Sequence, residues 1–251
     1  MSAGGGQAKG RRTLALDIGG TVIKAAVLDM RGRPVAVPLQ AATPKPATPS
    51  AVLRVAMGLA RALPGFQRVA IGFPGVVRDG ITCTAANLHP AWRGVDLARR
   101  MRRLTGRPVR VGNDADVQGM GVIEEVGVEL VITLGTGVGS ALFIDGTLVP
   151  NLEFGHHPFL GGRTYEESLG DRELRRIGNG AWNRRLRSAI QTLQQAFSCR
   201  LLYLGGGNSR LVSRPLPRRV RVVANIAGLL GSIRLWSRPR GRRTRRPPSR
   251  R

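Results

Sequence analysis

The chain is poor in cysteine and has no long apolar run. Two cysteines in 251 residues are too few for a four-cysteine zinc site, and they argue against a fold held by several disulfides. No stretch of about 18 uninterrupted apolar residues occurs, and residues 1–12 are Gly-rich and basic with no apolar signal core. We therefore expect a protein of the reducing cytoplasm, neither exported nor embedded in a membrane.

Acidic residues are missing from the last third of the chain. All 15 of them lie at or before Glu173, whereas 20 of the 40 basic residues follow it. Residues 174–251 thus carry +20 of the net charge of +25. A field of that sign attracts polyanions: nucleic acid, an anionic membrane or a phosphate chain. The alternative is a composition bias, because only Lys9, Lys24 and Lys45 among the basic residues are not arginine.

Residues 237–251 are rich in Arg and Pro and show no apolar periodicity, which predicts a disordered tail. The tail has no aromatic residue after Trp236, so base stacking is not expected there. Any nucleic-acid binding by this tail would be electrostatic, without sequence readout, and would weaken as salt rises.

An internal repeat organises the first two thirds of the chain. Residues 14–22 (LALDIGGTV) align without a gap on residues 130–138 (LVITLGTGV), and the register continues to Asp29 with Asp145. Each copy has two strand-like runs separated by a glycine bend, which predicts a β-hairpin. Two similar hairpins indicate two similar lobes that face each other.

Outside the hairpins, strand-like and helix-like patterns alternate, which predicts an α/β fold. The long helix 171–197 should be interrupted near Gly178 and Gly180, and Ser50 is the expected N-cap of the first helix. The other predicted helices cover residues 50–63, 94–105, 115–125 and 224–235.

Three strand-then-glycine bends are candidates for phosphate binding: residues 17–21, 134–139 and 204–208. Such bends can present backbone N–H groups to an anion with no side chain in the way. None is followed by the Gly-Lys-Ser/Thr of a Walker loop, and the middle bend lacks the Rossmann spacing. One bend alone would more often be a tight turn, but three in one chain favour a ligand site.

The motifs together resemble the ROK family of sugar kinases, over roughly residues 14–235. Within that family the chain is most similar to the bacterial polyphosphate glucokinases, notably in residues 41–49, 84–87 and 146–156. The matching motifs, in family order, are Asp17-Ile18-Gly19-Gly20-Thr21 with Lys24, Asn113-Asp114-Ala115-Asp116, Leu134-Gly135-Thr136-Gly137, Glu153-Phe154-Gly155-His156 and Gly205-Gly206-Gly207.

The resemblance implies an actin-like, ribonuclease H-like fold with two lobes, residues 13–112 and 113–236, between the flexible basic segment 1–12 and the tail 237–251. A sugar and a phosphoryl donor would meet in the cleft between the lobes. Phosphoryl transfer needs mainly alignment, charge neutralisation and a group that takes the hydroxyl proton. Asp114 matches the family's general base. The matched substrate-binding positions are Asn87, Asn113, Asp114, Glu153, His156 and Glu166.

The resemblance also assigns the donor side. Asp17 matches the acidic residue near the transferring phosphate and its Mg²⁺. The matched donor-phosphate positions are Asp17, Gly19, Gly20, Thr21, Lys24, Gly135, Thr136, Gly137, Gly205, Gly206 and Gly207. Many members carry a Cys-rich zinc motif after the matched His, whereas residues 157–165 contain no cysteine, so no zinc site is expected.

The function that follows is a glucokinase that uses polyphosphate, and ATP as a further donor, to make glucose 6-phosphate. Homodimers are common in the family, so a homodimer is expected. The alternatives are an ATP-dependent hexokinase of the same family and a catalytically weakened sugar-binding or regulatory protein. The second alternative follows from connections at residues 125–130 and after Asn208 that are shorter than is usual in the family, and from the Arg-Pro tail in place of an ordinary terminus. The retained Asp114 and the dozen residues before Leu14, too few for a DNA-binding domain, argue against it.

Overall fold

The structure is a computed structural model that describes residues 10–224 and 227–237. Most of the predicted tail and nearly all of the predicted N-terminal segment lie outside the described residues. Among the described residues, no helix is both long and apolar enough to cross a membrane.

The strands, in chain order, are β1 (Thr13–Ile18), β2 (Val22–Leu28), β3 (Leu39–Ala42), β4 (Arg68–Phe73), β5 (Val77–Arg78), β6 (Ile81–Thr82), β7 (Val95–Asp96), β8 (Val109–Asn113), β9 (Val128–Leu134), β10 (Val138–Ile144), β11 (Thr147–Val149), β12 (Pro158–Leu160), β13 (Arg163–Thr164), β14 (Leu201–Gly205) and β15 (Val220–Val222). The helices are α1 (Pro49–Arg61), α2 (Leu97–Thr105), α3 (Asp114–Met120), α4 (Tyr165–Leu169), α5 (Asp171–Phe197) and α6 (Ala227–Gly231). Four 3₁₀ turns span Pro90–Trp92, Phe154–His156, Gly207–Leu211 and Arg234–Trp236.

Two five-stranded sheets share one topology. The first has the order β3-β2-β1-β4-β8 and the second β11-β10-β9-β14-β15. In each sheet a three-stranded antiparallel meander is extended by two parallel strands. The two hairpins predicted from the repeat are β1–β2 and β9–β10, so the repeat is confirmed and continues through the whole of each sheet.

Helices cover the sheets because their central strands are apolar on both faces. In the first sheet, Leu14 and Leu16 of β1 belong to a core shared with Val52 and Ala56 of α1. Ala15 points to the opposite face, where α6 packs. In the second sheet, one face is covered by α5 and the other by α3.

Several helix boundaries differ from the prediction. Helix α1 begins at Pro49 and its N-cap is Thr48, whose side chain accepts from Ala51 N; the prediction of Ser50 was wrong, because proline is well suited to the first helical position. The break in α5 is confirmed at Gly178, whose φ of 76° is left-handed.

The last predicted helix is shorter than expected. Of residues 224–235, Ala227–Gly231 form α6 and Arg234–Trp236 a 3₁₀ turn. Helix α6 contacts α3 as well as β1 and β2. The end of the described chain therefore packs on the first sheet, next to the helix that begins with Asp114.

Candidate active site

A cleft of about 840 Å³ collects nearly all of the residues that the sequence singles out. The exception is Gly205, which is buried at the end of β14 and does not line the cleft. The predicted residues that line it are Asp17, Gly19, Gly20, Thr21, Lys24, Asn87, Asn113, Asp114, Gly135, Thr136, Gly137, Glu153, His156, Glu166, Gly206 and Gly207.

The two repeat-related glycine bends meet at the cleft. The hydroxyl oxygens of Thr21 and Thr136 are 3.1 Å apart. Asn87 lies against both bends: a Cβ on Gly20 would come within 3.1 Å of its carbonyl oxygen, and one on Gly137 within 2.9 Å of its side-chain nitrogen. A side chain on Gly20 would be tighter than most Cβ contacts, and one on Gly137 would displace the Asn87 amide.

Asp114 is held where β8 gives way to α3. Asn113 is the N-cap of α3, and its side-chain oxygen accepts from Ala115 N at 2.8 Å and from Asp116 N at 3.1 Å. Asp114 is thus the first residue of the helix, and its Oδ1 accepts from Ala115 N at 2.8 Å. The cap fixes the backbone from which the Asp114 carboxylate reaches the cleft.

Burial and a neighbouring carboxylate make Asp114 basic. Loss of solvent raises its pKa most, and the charge of Asp17 raises it further, to about 8. Gly72 lies beside both residues: a Cβ there would be 3.4 Å from the Asp114 Cα and 3.8 Å from Asp17 Oδ1. A carboxyl group with a pKa raised in this way is suited to accept a proton near neutral pH.

A second group of polar side chains adjoins Asn113. The side-chain nitrogen of Asn113 donates to Glu153 Oε1 at 3.4 Å. The other carboxylate oxygen, Glu153 Oε2, is 3.6 Å from His156 Nε2. Glu166 accepts from Val138 N at 3.1 Å. Burial raises the pKa of Glu153, which His156 lowers and Glu166 raises. Carboxylate, amide and imidazole groups together offer the donors and acceptors that neighbouring hydroxyls require.

The third glycine bend closes the other end of the cleft. Gly206 has a φ of 82°, and a Cβ there would lie 2.6 Å from Leu134 N, so this bend rests against the end of β9. The carbonyl of Gly135 accepts from Asp171 N at 2.9 Å and from the Asn208 side chain at 3.4 Å. The second and third bends are therefore joined directly.

One carboxylate of the cleft has the surroundings that a bound divalent cation would need. Among the residues described, no group of three or more metal-ligating side chains occurs. Mg²⁺ typically takes one or two protein carboxylates and completes its shell with water and substrate phosphates. Asp17, paired with Lys24 Nζ at 3.4 Å and close enough to Asp114 to raise its pKa, fits that role.

The cleft also contains residues that the sequence did not single out, among them Gln118, Asp171, Arg175 and Arg210. Gln118 follows Asp114 by four residues on α3, a spacing that places the two side chains on one helix face, so the sequence did hold a signal for it. Arg175 pairs with Asp171 at 2.8 Å. Arg175 and Arg210 reach the cleft through the placement of α5 and of the third bend, which no local pattern reports.

Comparison with known proteins agrees with this geometry. The ROK family profile matches residues 13–162. A polyphosphate glucokinase of Mycobacterium tuberculosis is 32% identical over 242 residues, which cover 88% of this chain and 90% of that one. The chain belongs to the ROK family.

Solved structures show the same fold. The inorganic polyphosphate/ATP-glucomannokinase of Arthrobacter sp. strain KM has a TM-score of 0.82 and 31% identity, over 89% of this chain and 97% of that one. A ROK family glucokinase of Streptomyces griseus, solved with glucose and AMPPNP, has a TM-score of 0.74 at 22% identity, over 89% and 98%. The predicted actin-like α/β fold is confirmed.

Proposed function

We propose that the chain is a glucokinase that transfers a phosphoryl group from inorganic polyphosphate, and from ATP as a second donor, to the 6-hydroxyl of glucose. The observation that carries the proposal is the position of Asp114. It stands in one cleft with the polar group of Asn113, Glu153 and His156 and with three glycine bends. The names of the relatives support the choice of substrates: polyphosphate glucokinase at 32% identity and polyphosphate/ATP-glucomannokinase at 31%.

The reaction follows from this arrangement. Asn87, Asn113, Glu153, His156 and Glu166 bind the hydroxyls of the hexose and turn its 6-hydroxyl toward Asp114. Asp114 takes the hydroxyl proton as the oxygen bonds to the terminal phosphorus of the donor. The bond from that phosphorus to the bridging oxygen breaks, and the leaving group is a polyphosphate shortened by one unit, or ADP.

The glycine bends hold the donor in line with the sugar. The N–H groups of Gly19 and Gly135 already donate to the carbonyls of Val22 and Gly137. Those of residues 20–21 and 136–137 therefore face the phosphates, and Lys24 neutralises part of the phosphate charge. Mg²⁺, held by Asp17 together with donor oxygens, would supply charge neutralisation of the transferring phosphate. Arg175 and Arg210, at the donor end of the cleft, fit a donor with many negative charges.

A donor comparison tests the proposal. Purified protein is incubated with glucose and Mg²⁺, with polyphosphate or ATP added separately, and glucose 6-phosphate is measured. We expect turnover with polyphosphate well above the buffer control. Turnover with polyphosphate no higher than in buffer, together with full turnover with ATP, would instead establish an ATP-dependent hexokinase. No turnover of any common hexose with either donor would overturn the enzyme proposal and leave a sugar-binding or regulatory protein.

Three further properties stay predictions: a homodimer, a cytoplasmic location and non-specific polyanion binding by residues 237–251. Sedimentation of the full chain checks the homodimer. A gel shift with nucleic acid, on the full chain and on a chain ending at Trp236, checks polyanion binding by the tail. Polyanion binding that survives the truncation would show that the tail is not responsible.

A further inference from the structure

Gln118 is a buried amide that the proposed reaction leaves unused. It lies on α3, is only 6% exposed, and lines the same cleft as Asp114. Its side-chain nitrogen Nε2 makes no hydrogen bond to any residue that the structure describes. A buried donor without an acceptor is destabilising, so such groups are rare and call for a physical explanation.

The fold makes room for this amide at one specific place. A Cβ on Gly205 would lie 2.8 Å from Gln118 Nε2 and 3.0 Å from its Cδ. Gly205 does not line the cleft, and its lack of a side chain leaves the space that the Gln118 amide occupies. Gly206 and Gly207, the next two residues, do line the cleft. The amide therefore lies at the junction between α3 and the third glycine bend.

We infer that the Gln118 amide donates a hydrogen bond to a phosphate oxygen of the phosphoryl donor; this inference rests on the proposed function. The amide N–H₂ group needs an acceptor, and the oxygens of a phosphate chain accept without donating. Asp114 and Gln118 share one face of α3, so the helix presents a proton acceptor to the sugar and a hydrogen-bond donor to the phosphate. Glu153 and His156 approach Asp114 from other elements, the loop and 3₁₀ turn that follow β11.

Substitution of Gln118 should separate stability from donor use. In Gln118→Leu the unpaired amide is replaced by an apolar group of similar size, so we expect the Tm of the ligand-free protein to stay equal or rise. The kcat/KM for polyphosphate should fall about tenfold or more, because a hydrogen bond to a charged group is lost. The KM for glucose should stay close to its native value.

Gln118→Glu keeps the shape and replaces the N–H₂ group with an acceptor. An ionised carboxylate there would repel phosphate oxygens, so kcat/KM for the donor should fall further than in Gln118→Leu. Gln195→Leu, an exposed glutamine on α5 outside the cleft, is the matched control and should behave like the native protein.

A binding measurement keeps this inference distinct from the proposed function. Tripolyphosphate, added without hexose, should raise the Tm of the native protein and of Gln195→Leu, and raise that of Gln118→Leu much less. An active native enzyme whose Gln118→Leu variant keeps donor kcat/KM and the tripolyphosphate shift would overturn the inference alone. A Gln118→Leu variant with a lower Tm and with equal losses of kcat/KM for glucose and for the donor would also overturn it, in favour of a packing role. A native protein with no turnover and no tripolyphosphate shift would overturn both.

Discussion

Glu153, which is proposed to bind the hexose, contacts two other polar side chains of the cleft. One of its carboxylate oxygens accepts from Asn113 at 3.4 Å and the other lies 3.6 Å from His156. Both carboxylate oxygens of Glu153 therefore have polar neighbours within the cleft.

Glu153→Gln should weaken hexose binding more than catalysis. The amide keeps the size of the side chain and loses one charged acceptor, and hydrogen bonds to charged groups contribute about 1.5–3 kcal/mol. We expect KM for glucose to rise roughly 10- to 100-fold. Steady-state kinetics check this, with His157→Ala as the control, because His157 stacks on Phe154 and does not line the cleft. An unchanged KM for glucose would remove Glu153 from the sugar site.

The raised pKa of Asp114 has a consequence for stability. Its pKa is about 8 in the folded protein, against 3.8 as the ordinary value. Between these two pH values the unfolded chain has released a proton that the folded protein keeps. The free energy of unfolding therefore falls as pH rises toward about 8.

Asp114→Asn removes this titration. The Tm of the variant, measured without ligands or divalent cations, should exceed that of the native protein by a margin that grows from about pH 5 to about pH 8. The comparison at the lower pH is the internal control, because both side chains are uncharged in the folded protein there and the expected margin is smallest. A margin that does not change with pH would contradict the assignment of the raised pKa.

At the scale of elements, the third glycine bend depends on Gly206. Gly206 has a left-handed φ and its Cα faces Leu134 at the end of β9. Gly207, the next residue, has nothing within 4 Å of the position that a Cβ would take.

Gly206→Ala should therefore destabilise the bend, and Gly207→Ala should not. A Cβ on Gly206 would lie 2.6 Å from a backbone nitrogen, which cannot give way as a flexible side chain would. We expect a loss of about 1–3 kcal/mol in the free energy of unfolding for Gly206→Ala, measured by denaturant titration. Equal stability of the two variants would mean that the bend does not rest on β9.

The segment after α6 is fixed to the first sheet by Trp236. The guanidinium carbons of Arg68 and Arg110 lie 5.2 Å and 4.8 Å from the centre of its ring, and Arg110 also donates to the carbonyl of Leu235. Cation–π pairs of this kind contribute about 0.5–1 kcal/mol each when partly exposed.

Trp236→Ala should lower stability by about 2 kcal/mol, since two such pairs and the half-buried indole are lost. For a chain of this size that corresponds to a Tm lower by roughly 4–8 °C. Trp236→Phe keeps a ring and should lose less. A Tm that does not change in Trp236→Ala would show that the segment is not held by this residue.

At the scale of the whole molecule, the equivalence of the two sheets can be predicted from the sequence for their hairpins and not for their parallel strands. The hairpins β1–β2 and β9–β10 are similar in amino-acid sequence as well as in shape, so their repeat is visible in the sequence. The parallel strands β4 and β14 are buried and apolar, and burial selects for residue type without preserving residue identity. Their equivalence is therefore visible only in the shared strand order.

The site shows the same division. Motif residues such as Asp114 and Glu153 are found because their types and order match a family, whereas Arg175 and Arg210 reach the cleft through tertiary packing. Gly205 illustrates the converse: it belongs to the motif but leaves space for Gln118 and does not itself face the cleft.

The most direct test of the account is the rate of phosphoryl transfer by Asp114→Asn at saturating glucose and donor, together with its glucose affinity by calorimetry. If Asp114 takes the hydroxyl proton, kcat should fall by about 10²–10⁴ while glucose still binds. A variant that binds glucose and keeps the native kcat would contradict it.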